Sequence, residues 1–210
     1  MLRIGADYIE PNGLVMGKEQ THSLPLTDIE YFNESIYLLG EITREKAWSI
    51  VRQIRCAPII AGMKDDRDAI MLFIDSDGGD LTSAYMICDA IQASNIPIIT
   101  IVMGHAYSAA ALVLSAGHRK AMYEHARIML HQPNVTSASF RGDIVDVKMM
   151  ADRLNDEQKT IVDIFSTYTG KEPSDILKAM ETVTYFNASQ AKAFGLIDGV
   201  IKSHGVVRSH

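Results

Sequence analysis

Short apolar runs alternate with amphipathic segments along most of this chain. The runs are rich in Ile, Leu and Met, and each is followed by a glycine or a polar residue, which is typical of strands buried on both faces. They cover residues 35–40, 69–74, 98–103 and 126–130. The segments between them place apolar side chains at helical spacing: a helix that Thr43 can cap, then residues 81–94 and 106–116. This alternation predicts an α/β fold with a mostly parallel sheet and helices against its faces.

The two ends of the chain differ from this regular middle part. Residues 1–34 have weak periodicity and several Gly and Pro breakers, so we expect a loop-rich N-terminal arm. The length suits one buried core, and we expect residues 35–210 to form a single domain. The segments after the last strand are, in order, a polar stretch at 134–141, a long helix at about 143–168, helices at 174–180 and 189–194, and an apolar segment at 196–201.

Composition and charge exclude several classes of partner. The 210 residues carry a formal net charge of -6, without a basic stripe that could displace counterions, so no nucleic-acid partner is expected. No apolar run approaches the length of a membrane span, and residues 1–20 lack a signal-peptide pattern, so no membrane association is expected. Cys56 and Cys88 lie in apolar helical patterns without a paired spacing, which predicts buried, reduced thiols and a reducing compartment. The cytoplasm is the default expectation, with a processed organellar protein as the alternative.

Two residues at predicted strand ends could form a reactive pair. Ser108 follows the run 98–103, where the chain is expected to turn from strand to helix, and the first amides of that helix can face a developing negative charge. His131 follows the run 126–130. Because parallel strands end at one edge of a sheet, the two side chains can meet there as a nucleophile and its base. The alternative is a packing serine among alanines and an exposed histidine at a strand end.

A pair of glycines follows a third buried run. Gly78 and Gly79 lie in a predicted turn at 75–80, directly after the run 69–74. Consecutive glycines allow the backbone to approach a ligand closely, so the Gly79 amide could point at an oxyanion. Alternatively, the turn from strand to helix simply needs glycine. No Lys-Ser or Lys-Thr follows, so this is not a phosphate-binding loop.

Taken together, five segments of the sequence resemble ClpP, the family of proteolytic subunits of the Clp protease. The segments are SIYLLGEI, FIDSDGGDLTSA, MGHAYSAAALVLSAG, IMLHQP and NASQAKAFGLIDGVI, and they span about residues 35–201. By this resemblance Ser108 is the catalytic nucleophile and His131 is its general base. The oxyanion-hole amides would come from Gly79 and Ala109.

The same resemblance implies an architecture and partners. The fold would be a ClpP/crotonase-like repeated β-β-α superhelix with a mostly parallel sheet and a protruding helical handle at about residues 134–168. The chain would be a serine endopeptidase that assembles with itself into two stacked heptameric rings. An AAA+ Clp ATPase would deliver unfolded polypeptides and would itself use the ATP, so no cofactor is expected here. No metal is expected either, because three further histidines lack ligand spacing with carboxylates or thiols and should lie at the surface or at helix ends: His105, His118 and His125.

One departure from the family pattern concerns the third member of the catalytic triad, an Asp shortly before the NASQA segment. An ungapped alignment places Val183 there. Glu181 lies two residues earlier and, if this stretch is a strand, points the same way but about 7 Å further along, so it is a poorly placed substitute. Asp77 also replaces the family's usual Pro. Because altering the acid lowers turnover of other serine proteases by roughly 10⁴-fold, we predict weakened or conditional activity.

Two other functions stay open on the sequence. A structural paralogue would complete a mixed ring without efficient catalysis; the missing Asp favours it, whereas Ser108 and His131 oppose it. An acyl-CoA enzyme of the crotonase type would share the fold and the oxyanion hole, and it would need its own acid–base carboxylates near that hole instead of a Ser–His pair.

Overall fold

The computed structural model describes residues 2–4, 7–9, 15–16, 35–60, 62, 69–134 and 143–202. Its strands are β1 (Leu2–Ile4), β2 (Asp7–Ile9), β3 (Val15–Met16), β4 (Ile36–Ile42), β5 (Ile70–Gly79), β6 (Ile98–Tyr107), β7 (Arg119–Tyr123), β8 (Arg127–Leu130), β9 (Thr184–Phe186) and β10 (Gly199–Ile201). Its helices are α1 (Arg44–Ile60), α2 (Leu81–Gln92), α3 (Ala109–Ser115), α4 (Ile144–Thr169), α5 (Pro173–Glu181) and α6 (Ala188–Phe194).

A seven-stranded sheet forms the centre of the described part of the chain. Strands β10, β7, β6, β5 and β4 lie side by side in that order, each parallel to its neighbours. Strand β8 pairs in parallel with the last part of β6, beyond the residues that pair with β7, and β9 pairs antiparallel with β8. The predicted α/β fold with a mostly parallel sheet is therefore confirmed. Strands β1 to β3 form a separate antiparallel sheet.

The core lies between this sheet and its helices. Helix α3 is buried along its whole length, and Phe165 of α4 packs into the same cluster. Fully burying an aliphatic side chain contributes about 1.5–3 kcal/mol, so this core holds the ends of β5, β6 and β8 firmly in place. Its largest fully buried side chains are Phe165, Ile36, Leu38, Ile42, Ile54, Ile70, Leu72, Ile74, Ile87, Ile91 and Ile98.

Two strands are longer than the sequence predicts. The predicted turn at 75–80 is wrong, because β5 continues to Gly79 and only Asp80 separates it from α2. The reason is the neighbouring strand, since β4 pairs with β5 as far as Ile42 opposite Gly79. The helix predicted over 106–116 covers only 109–115, because Ala106 is paired on both sides, with β5 and with β8, and this overrides the helix propensity of alanine.

Two of the strands that the sequence pattern missed, β7 and β9, belong to the central sheet. Strand β7 buries only its Ala121 and Met122, and β9 has three residues, so neither shows a clear alternation. The long helix is confirmed as α4, which begins after a capping box at Asp143. Residues 135–142, which belong to the predicted handle, lie outside the described residues. The N-terminal arm and the single domain stay predictions.

The two cysteines are both free. Cys88 is buried, and burial raises the pKa of its thiol to about 12. Cys56 is only half-buried, so the expectation of two buried thiols is correct for Cys88 and wrong for Cys56. None of the helices in the described segments is long and apolar enough to cross a membrane.

Candidate active site

Ser108 and His131 lie in hydrogen-bond contact at the edge of the sheet. The distance from Ser108 Oγ to His131 Nε2 is 2.7 Å. Their strands explain the meeting, because β6 and β8 are parallel with Tyr107 opposite Met129. The main-chain N–H of Ser108 donates to the carbonyl oxygen of Met129 at 2.9 Å, which fixes the serine next to the end of β8. The structure thus brings together the two side chains that the sequence analysis singled out.

The backbone of Ser108 has an unusual conformation. Its φ is 54°, and it is the one non-glycine residue with positive φ in the described part of the chain. Such a conformation costs about 1–3 kcal/mol and persists where the surroundings impose it, most often at functional sites. Here it makes the sharp turn from β6 into α3 and exposes the hydroxyl at the junction.

The two glycines of β5 leave no room for a side chain, since Gly78 packs against this junction and Gly79 packs against β4. A Cβ added at Gly78 would lie 2.9 Å from the Cβ of Ser108 and 3.0 Å from the amide nitrogen of Ala109. A Cβ added at Gly79 would lie 2.5 Å from the carbonyl oxygen of Ile42, and the φ of Gly79 is 145°. No other residue fits either position without backbone movement.

A cavity of about 530 Å³ brings these groups together. Gly79, Ser108, Ala109 and His131 all line it. The Ala109 amide is the first of helix α3 and therefore has no partner within the helix. The remaining lining residues are apolar or acidic apart from one amide: Leu81, Leu112, Met129, Leu130, Pro133, Ile161 and Phe165; Glu41, Asp77 and Asp80; and Asn134. The cavity thus offers a hydroxyl, an imidazole and main-chain amides beside an apolar wall.

The second ring nitrogen of His131 has no carboxylate behind it in the described part of the chain. The pairing of β8 with β9 ends with Leu130 opposite Thr184, and continuing this register by one residue brings Val183 opposite His131. Val183, which the alignment places at the position of the triad acid, therefore lies next to the end of β8, and the residue is 57% exposed. Among the described residues, only Ser108 is hydrogen-bonded to the imidazole.

The expected orientation of Glu181 is wrong. This residue is the last of helix α5 rather than part of a strand, because β9 begins only at Thr184. The argument that its side chain shares a face with Val183 therefore fails. Glu181 is exposed and is not hydrogen-bonded to the imidazole of His131 in the described structure.

Sequence reasoning missed a second histidine close to this site. His105 was expected at the surface or at a helix end, but it lies on β6 between the carboxylates of Asp75 and Asp77. A sequence signal for this arrangement existed, because Asp75 and Asp77 are two residues apart and share one face when they lie in a strand. It could be used only once residues 75–77 were assigned to a strand rather than to a turn. Across the described residues, no group of three or more His, Cys, Asp or Glu side chains is arranged to hold a metal ion.

The parallel sheet, the Ser–His pair and the glycine-lined cavity define a site of the serine protease class. A family model for Clp protease matches residues 20–204 of this chain. The chain therefore belongs to the Clp protease family, and it is a serine endopeptidase. This match favours a protease over an acyl-CoA enzyme of the crotonase type.

Curated relatives agree with this assignment. The chain is 31% identical to an ATP-dependent Clp protease proteolytic subunit from Bdellovibrio bacteriovorus, over 81% of this chain and 80% of the relative. It is 39% identical to an ATP-dependent Clp protease proteolytic subunit 2 from Frankia casuarinae, over 66% of this chain and 63% of the relative. An ATP-dependent Clp protease proteolytic subunit from Sorghum bicolor is 31% identical over 88% of this chain and 83% of the relative.

Proposed function

We propose that this chain hydrolyses peptide bonds with Ser108 as the nucleophile and His131 as the general base. The observation that carries the proposal is the 2.7 Å contact between Ser108 Oγ and His131 Nε2 inside a cavity that Gly79 and Ala109 also line. A neutral imidazole with an unprotonated Nε2 can accept the hydroxyl proton while Oγ attacks a carbonyl carbon of the substrate.

The steps that follow use the same groups. The tetrahedral intermediate places a negative charge on the former carbonyl oxygen, toward the amides of Gly79 and Ala109. The imidazolium of His131 then gives its proton to the leaving amine, the C–N bond breaks, and an acyl ester remains on Ser108. Water, deprotonated by His131, attacks that ester and releases the carboxylic acid and the serine hydroxyl. No cofactor takes part in this sequence.

The activity should be weak or conditional, because Val183 stands where a carboxylate would orient His131. An Asp at this place fixes the tautomer and the ring orientation, and altering it costs roughly 10⁴-fold in turnover, or about 5 kcal/mol of barrier. A residual acceleration of roughly 10³–10⁴ over water is still expected from the binding groups and the oxyanion hole. Assembly or a partner could supply the missing orientation.

We further propose that the chain works inside a larger particle. The names of its relatives support a proteolytic subunit that acts together with an ATPase. The expected particle is two stacked heptameric rings of this chain, or of this chain and a paralogue, with α4 as part of the handle between the rings. An AAA+ Clp ATPase would feed unfolded polypeptides into it, and the expected location is the cytoplasm.

The first experiment is labelling of the purified, assembled protein with a fluorophosphonate. Mass spectrometry should find the phosphonyl adduct on Ser108, and Ser108→Ala should carry none. Slow hydrolysis of a fluorogenic peptide, accelerated by a Clp ATPase with ATP on an unfolded protein substrate, should accompany the label. Native mass spectrometry would then give the number of subunits, for which we expect fourteen.

The second candidate function is a structural subunit that is catalytically poor. The observation that favours it is the apolar Val183 opposite His131. This function predicts assembly, alone or with a paralogue, but no adduct at Ser108 in the assembled particle. The same labelling experiment therefore separates the two candidates.

A further inference from the structure

His105 lies between two carboxylates of the neighbouring strand. Its Nδ1 is 2.8 Å from Oδ1 of Asp75, and its Nε2 is 3.0 Å from Oδ1 of Asp77. The main-chain N–H of His105 also donates to Oδ1 of Asp75, at 3.1 Å. We call these three residues the Asp–His–Asp clamp. Because ionised carboxylates only accept hydrogen bonds, both ring contacts are hydrogen bonds when the imidazole carries two protons.

The clamp lies where the pairing of β5 with β6 is interrupted. The regular register ends with Ile74 opposite Val102 and resumes with Ser76 opposite Ala106. Between these pairs, the single residue Asp75 of β5 stands against residues 103–105 of β6. A regular ladder of backbone hydrogen bonds is lost at such a bulge, and the clamp supplies side-chain bonds at the same place. The ring of Tyr107 also packs on that of His105, with 4.5 Å between centroids.

The two strand ends that the clamp joins carry the proposed reactive groups. His105 lies three residues before Ser108, and Asp77 lies two residues before Gly79. Asp77 also lines the cavity that contains Ser108. A shift of one strand end relative to the other would change the distance between the Ser108 hydroxyl and the Gly79 amide. Oxyanion-hole donors are effective only when they are already aimed at the developing charge.

We propose that His105 is a positioning residue for the oxyanion hole: through Asp75 and Asp77 it holds the Gly78–Gly79 segment in place relative to Ser108. This role rests on the proposed function of the same site. A proline at residue 77 would restrain this segment by fixing its own φ. The chain has Asp77 instead, and the clamp provides the restraint through its side chain.

The kinetic test compares His105→Ala with two double variants that add Asp77→Pro or Asp77→Asn. In His105→Ala we expect kcat for a fluorogenic peptide to fall roughly tenfold, because a displaced donor stabilises the transition state less. The KM should stay within about twofold, because ground-state binding is unchanged. Added to His105→Ala, Asp77→Pro should restore kcat by restraining the backbone. Asp77→Asn removes only the unpaired charge and should leave kcat at the lowered value. The matched control is His125→Ala, at a 91% exposed side chain, which should change neither constant.

Hydrogen exchange measured by mass spectrometry gives a readout that does not need hydrolysis. In His105→Ala, peptides that cover residues 75–80 should exchange roughly tenfold faster, because local opening becomes easier. Peptides that cover β7 should exchange at the unchanged rate. The added Asp77→Pro should slow exchange at 75–80 again.

Several outcomes would overturn the proposal. One is that His105→Ala changes neither the exchange rate at residues 75–80 nor kcat. Another is that Asp77→Pro and Asp77→Asn restore kcat equally, because the loss would then come from charge alone. Faster exchange across β7 as well would make His105 a general stabilising residue. If His105→Ala does not fold, Asp77→Ala carries the same expectations, since the Asp77 side chain is 75% exposed. An unlabelled Ser108 in the unsubstituted protein would refute the proposed function, whereas unchanged exchange would refute the clamp.

Discussion

The two halves of the site are held together by different means. On the nucleophile half, residues 76–79 and 105–109, the main chain is fixed by paired strands, by two glycines without room for a side chain, and by the clamp. On the histidine half, residues 129–131 and 183–185, the imidazole is hydrogen-bonded to Ser108, and the continued strand register brings Val183 opposite His131. The comparison teaches that the backbone of the nucleophile half is preorganised, whereas no carboxylate among the described residues orients the imidazole of the histidine half.

This difference indicates which of two catalytic steps should stay efficient, the stabilisation of the oxyanion or the removal of the serine proton. Main-chain amides carry no ionisable group themselves, so the proposed oxyanion stabilisation depends on how the backbones of β5, β6 and α3 are held in place. The general base depends on its tautomer and ring orientation, which a carboxylate would fix. We therefore expect a site that binds and polarises a carbonyl group well but removes the serine proton inefficiently.

Removal of the nucleophile should have the largest effect. Ser108→Ala should lower peptide hydrolysis to background, because Oγ of Ser108 is the proposed nucleophile. His131→Ala and the double variant Ser108→Ala/His131→Ala should lose the same amount of peptide hydrolysis, since the two residues act as a unit. Hydrolysis of a fluorogenic peptide by the assembled protein measures all three. Additive losses would show that the two side chains act independently and would contradict the pair.

Disturbing the preorganised backbone should have an intermediate effect. Gly79→Ala should lower kcat by roughly 10²–10³-fold, as loss of an oxyanion-hole donor does, because the new Cβ would displace the segment from Ile42. Steady-state kinetics and a thermal melt measure activity and stability together. The control is Gly170→Ala, which also has a positive φ, 69° against 145° for Gly79, but nothing within 4 Å of the added Cβ. Equal kinetic losses in both variants would contradict a specific role of Gly79.

Removal of the only acidic residue close in sequence to Val183 should have the smallest effect. Glu181→Ala should change kcat/KM by less than about twofold, because an exposed carboxylate at a helix end contributes little to a distant group. The measurement is again peptide hydrolysis, with Glu181→Gln as the charge-only control. A loss of tenfold or more in both variants would show that Glu181 supplies the third member of the triad after all.

Much of this site follows from local sequence patterns. The strands that lead to Ser108 and His131 are apolar runs with clear ends, and parallel strands end at one edge of a sheet, so their meeting could be predicted. The glycine pair could be predicted as a close backbone approach, although its assignment to a turn was wrong. There the continuation of β4 beside β5 decided the conformation, and a pairing between distant segments leaves no local signal.

The remaining features depend on how separate segments pair. Strand β9 is three residues long and becomes a strand through its pairing with β8, so the register that brings Val183 opposite His131 comes only from the structure. The clamp depends on the bulge between β5 and β6, which aligns Asp75 with His105. Neither feature has a periodicity that a sequence pattern could show.

The most direct test restores the absent carboxylate. Val183→Asp places it opposite His131, and Val183→Asn places a side chain of the same shape without charge there as the control. We expect Val183→Asp to raise kcat/KM for a fluorogenic peptide at least about tenfold, against a ceiling of roughly 10⁴-fold, and Val183→Asn to leave it unchanged. A folded, assembled Val183→Asp protein with no gain in activity would contradict the view that the site lacks only the group that orients His131.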